Sequence, residues 1–179
     1  RGTGRARGAG GLMRALLPWL TAAVIVVLDR ITKMVVLDRL APGSWVEIVP
    51  GFALTHVHNP GIAFSLFAGG GPLTRVFLHL VIFTSVVIIA AMVVRHAHGS
   101  RLAGLAFGLI LGGAVGNLID RVLYGWVIDF VHLWARIGGR TLSWPDFNVA
   151  DAAISCGAVL LIASELRGGG RRDDAPDAA

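Results

Sequence analysis

The sequence predicts a mainly α-helical membrane protein, with four spanning helices and a small β-element outside the membrane. Three observations carry this. Of the 179 residues, 55% are hydrophobic and only 15% charged, too apolar for an ordinary water-soluble domain. Four long, nearly charge-free runs recur along the chain, each near the roughly 20 residues that a spanning helix needs. Between the first two runs, turn residues alternate with short β-prone segments.

The first run covers Leu12 to Leu37. Its basic start and apolar body are those of a secretory signal, but it is far longer than the roughly 7 to 15 residues of a signal core, so it reads as a retained span. Pro42, Gly43 and Ser44 then form one turn and Pro50 with Gly51 another, leaving Trp45–Val49 and Phe52–His58 as two short strands of an outer hairpin. Asn59, Pro60 and Gly61 make a further turn, and Ala63 to Phe67 is an apolar segment expected to dip into the interface. Leu73–Val94 is the second run and Leu102–Tyr124 the third. Within the third, Gly104, Gly108, Gly112 and Gly116 repeat every fourth residue, a stripe that lets a neighbouring helix approach closely in lipid. Gly125 to Phe147 carries Trp126, Trp134 and Trp144, rings suited to the headgroup level. Val149–Leu166 is the fourth run. One membrane domain, residues 12–167, is thus flanked by tails 1–11 and 168–179, whose Gly, Ala, Arg and Asp content predicts disorder.

Cytoplasmic flanks hold an excess of Lys and Arg. Of the sixteen basic residues, nine lie at the N-terminus, at the short link between runs two and three, and at the tail: Arg1, Arg5, Arg7, Arg14, Arg95, Arg101, Arg167, Arg171 and Arg172. Both termini are therefore expected in the cytoplasm. The net charge of +5 is mostly this topology signal, and no basic stripe interleaved with aromatics points to nucleic acid. The single cysteine, Cys156, excludes an intrachain disulfide and reads as a small buried apolar residue. His56 and His58 fit one strand face, but the six histidines are scattered and supply no third ligand, so neither a metal nor another cofactor is expected.

Polar groups at membrane depth are costly and invite explanation. Asp29 and Lys33 stand four apart in run one; Asn117, Asp120 and Arg121 share a face of run three; Asn148 and Asp151 are three apart at the start of run four; Asp129 follows run three. Asp29 lies about 22 Å along its helix from Arg14 and Asp120 about 28 Å beyond Arg101, so both approach the outer boundary. Run four starts at that boundary. Carboxylates far apart in sequence therefore fall near one level, which favours a site over accident. Asp29–Lys33 and Asp120–Arg121 also read as local ion pairs, Arg30 as a side chain snorkelling outward, and Asn148 as a helix N-cap.

Two close carboxylates do not both ionise easily, so one is an acid while the other is a base. Such a pair can activate water against a peptide carbonyl without serine, thiol or metal. Asp129 and Asp151 are the best candidates, because Asp29 and Asp120 have cationic neighbours within a turn; Asp146, after Pro145, is a weaker rival that reads as a solvated turn residue. A proton- or ion-coupled transporter is the alternative reading, though transporter sites lie near the midplane between repeats and no repeat is visible. A non-catalytic assembly protein would explain the glycine stripe alone.

Five ordered segments, D-R-I-T-K (Asp29 to Lys33), N-P-G-I-A-F-S (Asn59 to Ser65), G-G-A-V-G-N-L-I-D-R (Gly112 to Arg121), V-I-D-F (Val127 to Phe130) and F-N-V-A-D-A-A-I (Phe147 to Ile154), resemble the successive motifs of the lipoprotein signal peptidases, signal peptidase II. The resemblance spans Leu12 to Leu166. It implies cleavage of diacylglyceryl-modified prolipoproteins just before the lipid-bearing cysteine, at the outer face of a bacterial inner membrane, by Asp129 and Asp151. Asp29, Lys33, Asn59, Asn117, Asp120, Arg121 and Asn148 match motif positions that shape the site or orient substrate. The resemblance also implies that the hairpin is the family's β-cradle and that the loop with Trp126 and Trp134 holds a short helix over the site. Ile62 departs from the family's usual alanine. A lipid-anchored substrate presents its scissile bond at the headgroup level, where the polar cluster lies.

Overall fold

The structure, a computed structural model, describes residues 3–61, 71–95 and 100–169. Four helices, α1 (Thr3–Arg39), α2 (Pro72–Arg95), α3 (Arg101–Tyr124) and α4 (Val149–Gly169), accompany one sheet formed by β1 (Trp45–Val49), β2 (Phe52–Asn59), β3 (Val127–Ile137) and β4 (Arg140–Ser143). By length and composition, three helical stretches can cross a bilayer: Gly11–Arg39, Arg101–Tyr124 and Val149–Arg167. The apolar stretch of α2 among the described residues is shorter, His79–Arg95. α1 starts upstream of the expected Leu12, at Thr3. The segment Ala63 to Phe67, Ile62 and most of the C-terminal tail lie outside the described residues.

Apolar side chains face outward and charges inward. Val24, Val27, Ile31 and Val35 of α1, Phe77, Leu80 and Phe83 of α2, and Val159 and Ile162 of α4 are exposed, as suits lipid contact, while Asp29, Lys33, Asp120, Asp129 and Asn148 are among the largest fully buried side chains. Cys156 is exposed on this outer surface of α4, not buried as expected, because Gly157 beside it takes the inward position against α3.

α3 packs between α1 and α4 on its small residues. A methyl group at Gly108 would meet the Pro18 carbonyl oxygen and Thr21 Cβ at 2.6 Å, and one at Gly112 would meet the Ala22 carbonyl oxygen and Ile25 Cβ at 2.8 Å, whereas one at Gly104 would find only the Leu17 and Pro18 side chains, at 3.6 Å or more. On its other side Gly113 faces Ala150 and Ile154 of α4. Gly112→Val should therefore separate α1 from α3 and destabilise by about 1–3 kcal/mol, as overpacking does. Gly104→Ala should be neutral or better. Unfolding in mixed micelles checks both, and equal stability of the two variants would contradict this packing.

The sheet is antiparallel in the order β1-β2-β3-β4. The expected hairpin is present, with β2 one residue longer than expected, through Asn59. The expected short helix in the loop carrying Trp126 and Trp134 is not: that segment forms β3 and β4. The physical reason is local. Gly125 takes a left-handed φ of 83° and closes α3 with an N–H bond to the Arg121 carbonyl oxygen, and Val127 to Val131 are β-prone residues that pair with β2. Gly138 and Gly139, both at positive φ, then turn β3 into β4. Between Leu54↔Val131 and Val57↔Asp129 the register shifts. Such a bulge re-aims side chains, and this one lies beside Asp129.

Candidate active site

The site draws its residues from five elements. α1 supplies Asp29 and Lys33, α3 supplies Asn117, Asp120 and Arg121, β2 ends at Asn59, β3 starts two residues before Asp129, and Asn148 caps the helix whose first turn holds Asp151.

A buried ion cluster forms the base. The Lys33 ammonium meets Asp29 Oδ2 at 2.8 Å, Asp120 Oδ2 at 2.7 Å and Asn117 Oδ1 at 3.2 Å, and all three charged side chains are fully buried. An ammonium has three protons and no acceptor, so these partners use all of them. Arg30 pairs with the other Asp120 oxygen and also reaches Tyr124 Oη. Arg30 therefore does not snorkel outward as expected; it lies three residues before Lys33 on the same helix face, a spacing that signalled the pairing. Asp120 and Arg121 are not local partners either. Asp120 also accepts from the Ile128 N–H at 3.2 Å, while Arg121 donates to the Gly61 carbonyl oxygen at 2.6 Å and the Asn117 carbonyl oxygen at 3.2 Å. Asp29 additionally accepts from the Ala150 N–H, tying α1 to the start of α4.

Because Asn117 Oδ1 faces the ammonium, its Nδ2 is left to donate to Asp151 Oδ1, at 2.8 Å. Asn148 and Asp151 close a reciprocal cap: Asn148 Oδ1 accepts from the Asp151 N–H at 2.9 Å, and Asp151 Oδ2 accepts from the Asn148 N–H at 3.3 Å. Asn148 Nδ2 meanwhile donates to Asp129 Oδ1 at 2.8 Å, and Asn59 Nδ2 donates to Asp129 Oδ2 at 2.9 Å. The Gly61 N–H in turn holds Asn59 Oδ1. Burial, reinforced by the charge of Asp151, raises the Asp129 carboxyl to about 7, against the opposing pull of the Asn59 and Asn148 donors.

Asp129, Asp151, Asn59, Asn117 and Arg121 line one cavity of about 470 Å³, whose remaining wall is largely apolar, from Val81, Ile82 and Ile89 of α2, Ile110 and Ala114 of α3, and Ile154 of α4. Asp29, Lys33, Asp120 and Asn148 are not among its lining residues and stand behind it. Asp146, expected as a solvated turn residue, also lines the cavity and accepts hydrogen bonds from Thr55 and His132. Thr55 and His132 are site residues that sequence reasoning missed, because their link to Asp146 crosses from β2 and β3 and no local spacing encodes it. His56 and His58 do share a face, 3.1 Å apart, with His58 stacked on Trp126. Among the described residues no cluster of three or more His, Cys, Asp or Glu could hold a metal ion.

The family described as signal peptidase (SPase) II matches residues 21–167. A lipoprotein signal peptidase of Burkholderia thailandensis is 43% identical over 162 residues, which cover 90% of this chain and 93% of that protein. One of Janthinobacterium sp. (strain Marseille) is 46% identical over 154 residues, covering 86% and 90%. Two solved bacterial membrane enzymes share the fold: one with a TM-score of 0.75 at 24% identity, covering 90% of this chain and 93% of the other, and one with a TM-score of 0.71 at 28% identity, covering 83% and 92%.

Proposed function

The chain belongs to the signal peptidase II family, and from that premise we propose that it removes the signal peptide from diacylglyceryl-modified prolipoproteins as an aspartyl endopeptidase, with Asp129 and Asp151 as the reacting pair. The observation that carries this reading is the meeting of both carboxylates in one cavity, each oriented by asparagine amides and backed by a buried ion cluster.

Asp129, raised to about 7, is the proton donor, and Asp151 the base. Asp151 sits in the first turn of α4, where its Oδ2 accepts from the Asn148 N–H and its Oδ1 from the Asn117 amide. Asp151 takes a proton from water as the oxygen attacks the carbonyl carbon before the lipidated cysteine, and Asp129 gives its proton to the carbonyl oxygen. Collapse of the tetrahedral adduct breaks the C–N bond, the amine leaving with the proton held by Asp151 while Asp129 recovers its own from the adduct hydroxyl. Asn59, Asn117 and Asn148 hold the two carboxylates; Asp29, Lys33, Asp120 and Arg121 hold the asparagines and the helix ends. The apolar wall between α2, α3 and α4 suits acyl chains or an apolar signal segment.

The same reading makes α2 the fourth span, sets both termini in the cytoplasm of a bacterial inner membrane, and puts the cavity at the outer face; the basic residues at Arg95, Arg101 and Arg167 support it. The transporter alternative finds no support among the relatives. The test is cleavage of a diacylglyceryl-modified prolipoprotein peptide by the purified protein in lipid, followed against pH. Activity needs protonated Asp129, so the rate should be lost as pH rises through about 7, approaching tenfold per unit above it. Absence of cleavage sinks the protease reading. A rate that climbs through that range sinks the assignment of Asp129 as donor.

A further inference from the structure

Asp146 takes no part in the networks that hold Asp129 and Asp151, yet it lines the same cavity. Its Oδ1 accepts from Thr55 Oγ1 at 3.0 Å and from His132 Nδ1 at 2.8 Å. Thr55 is buried, and the His132 ring is packed against Trp45, with centroids 4.5 Å apart, and against Trp134. A carboxylate only accepts, so His132 presents its Nδ1–H to it. Among the described residues nothing donates to Oδ2, and the side chain keeps 23% of its surface exposed. One oxygen is thus clamped from two strands, β2 and β3, while the other takes no donor among the described residues.

Its place decides what it meets. His132 lies three residues beyond Asp129 on β3, roughly 10 Å along the strand, and Asp146 precedes the first turn of α4. Asp146 therefore stands on the sheet side of the reacting pair, away from the apolar wall that includes Ile89 and Ile110. With the lipid and the signal segment taken up along the apolar wall, the sheet side is where the chain after the lipidated cysteine would leave the cavity. We propose that Asp146 is a specificity-determining residue that receives this outgoing segment and favours cationic over acidic side chains in it. Arg121, the one cation among the lining residues, does not offset it, because its guanidinium is turned to the Gly61 and Asn117 carbonyl oxygens.

The inference rests on the protease reading above. Two diacylglyceryl-modified peptides, identical except for Lys or Asp immediately after the lipidated cysteine, are compared by kcat/KM in uncharged lipid. The wild type should prefer Lys by about tenfold, a preference that shrinks with added salt. Asp146→Asn should bring the ratio close to one, and Asp146→Lys should invert it. Equal cleavage of both peptides by the wild type, or a preference that ignores salt or survives Asp146→Asn, overturns the inference and leaves the protease reading standing. Should the variants fail to fold, the wild-type ratio at low and high salt decides alone. Cleavage of neither peptide overturns the protease reading and this inference with it.

Discussion

Asp129→Asn and Asp151→Asn should each lower cleavage of a diacylglyceryl-modified peptide by at least about 10³-fold, because an amide neither delivers nor accepts the proton that general acid–base catalysis moves. The fold should survive both changes. Asparagine keeps the shape of aspartate and part of its hydrogen bonding, so at position 129 it can still accept from Asn59 or Asn148, and at position 151 from Asn117 or the Asn148 N–H. Replacing Asp129 also removes a buried group that can ionise only beside Asp151, so its variant should unfold no more readily than the wild type. Cleavage measured beside thermal unfolding in detergent separates the two effects. A variant that stays folded and keeps more than about one hundredth of the activity would refute the assignment of that residue.

Lys33→Met should destabilise the protein by about 3–5 kcal/mol, the usual loss when one partner of a buried ion pair is removed. Methionine fills similar space but leaves Asp29 and Asp120 fully buried without the ammonium between them. Arg30 still neutralises Asp120; Asp29 retains only the Ala150 N–H. Lys33→Met combined with Asp29→Asn should therefore recover much of the loss, since it removes the charge left without a counterion. Equilibrium unfolding of the two variants in mixed micelles gives the comparison. If the double variant is no better than the single, Asp29 is not the group that suffers. Removing Lys33 also leaves Asn117 Oδ1 with the Asn148 amide as its remaining donor among the described residues.

The helices were legible because their signal is length and composition, and the runs around Leu102–Tyr124 and Val149–Leu166 agree with α3 and α4 nearly to the residue. Asp29 with Lys33, and Asn148 as a cap, were legible because helical spacing encodes them. What was not legible crossed between elements. Asp120 sits beside Arg121 in sequence, but successive helix residues point about 100° apart, and each found its partner on another segment. The loop after α3 was read as helical from its resemblance, against the β-prone run Val127 to Val131 and the glycine at 125; local propensity was the better guide there. The environment of Asp146 depends on strand pairing that places Thr55 and His132 near it, and no spacing in the chain announces that.

The reciprocal cap at the head of α4 binds folding and turnover into one design constraint. Asp151 is at once the acceptor that steadies the Asn148 N–H and the group assigned to take a proton from water. Anyone hardening this protein by sequence optimisation would find the usual remedy for a helix start, a better capping pair, closed at this position, because one of the two side chains lines the cavity and the other holds Asp129. Robustness must come instead from surfaces remote from it, above all the seam where α1 lies on the glycines of α3.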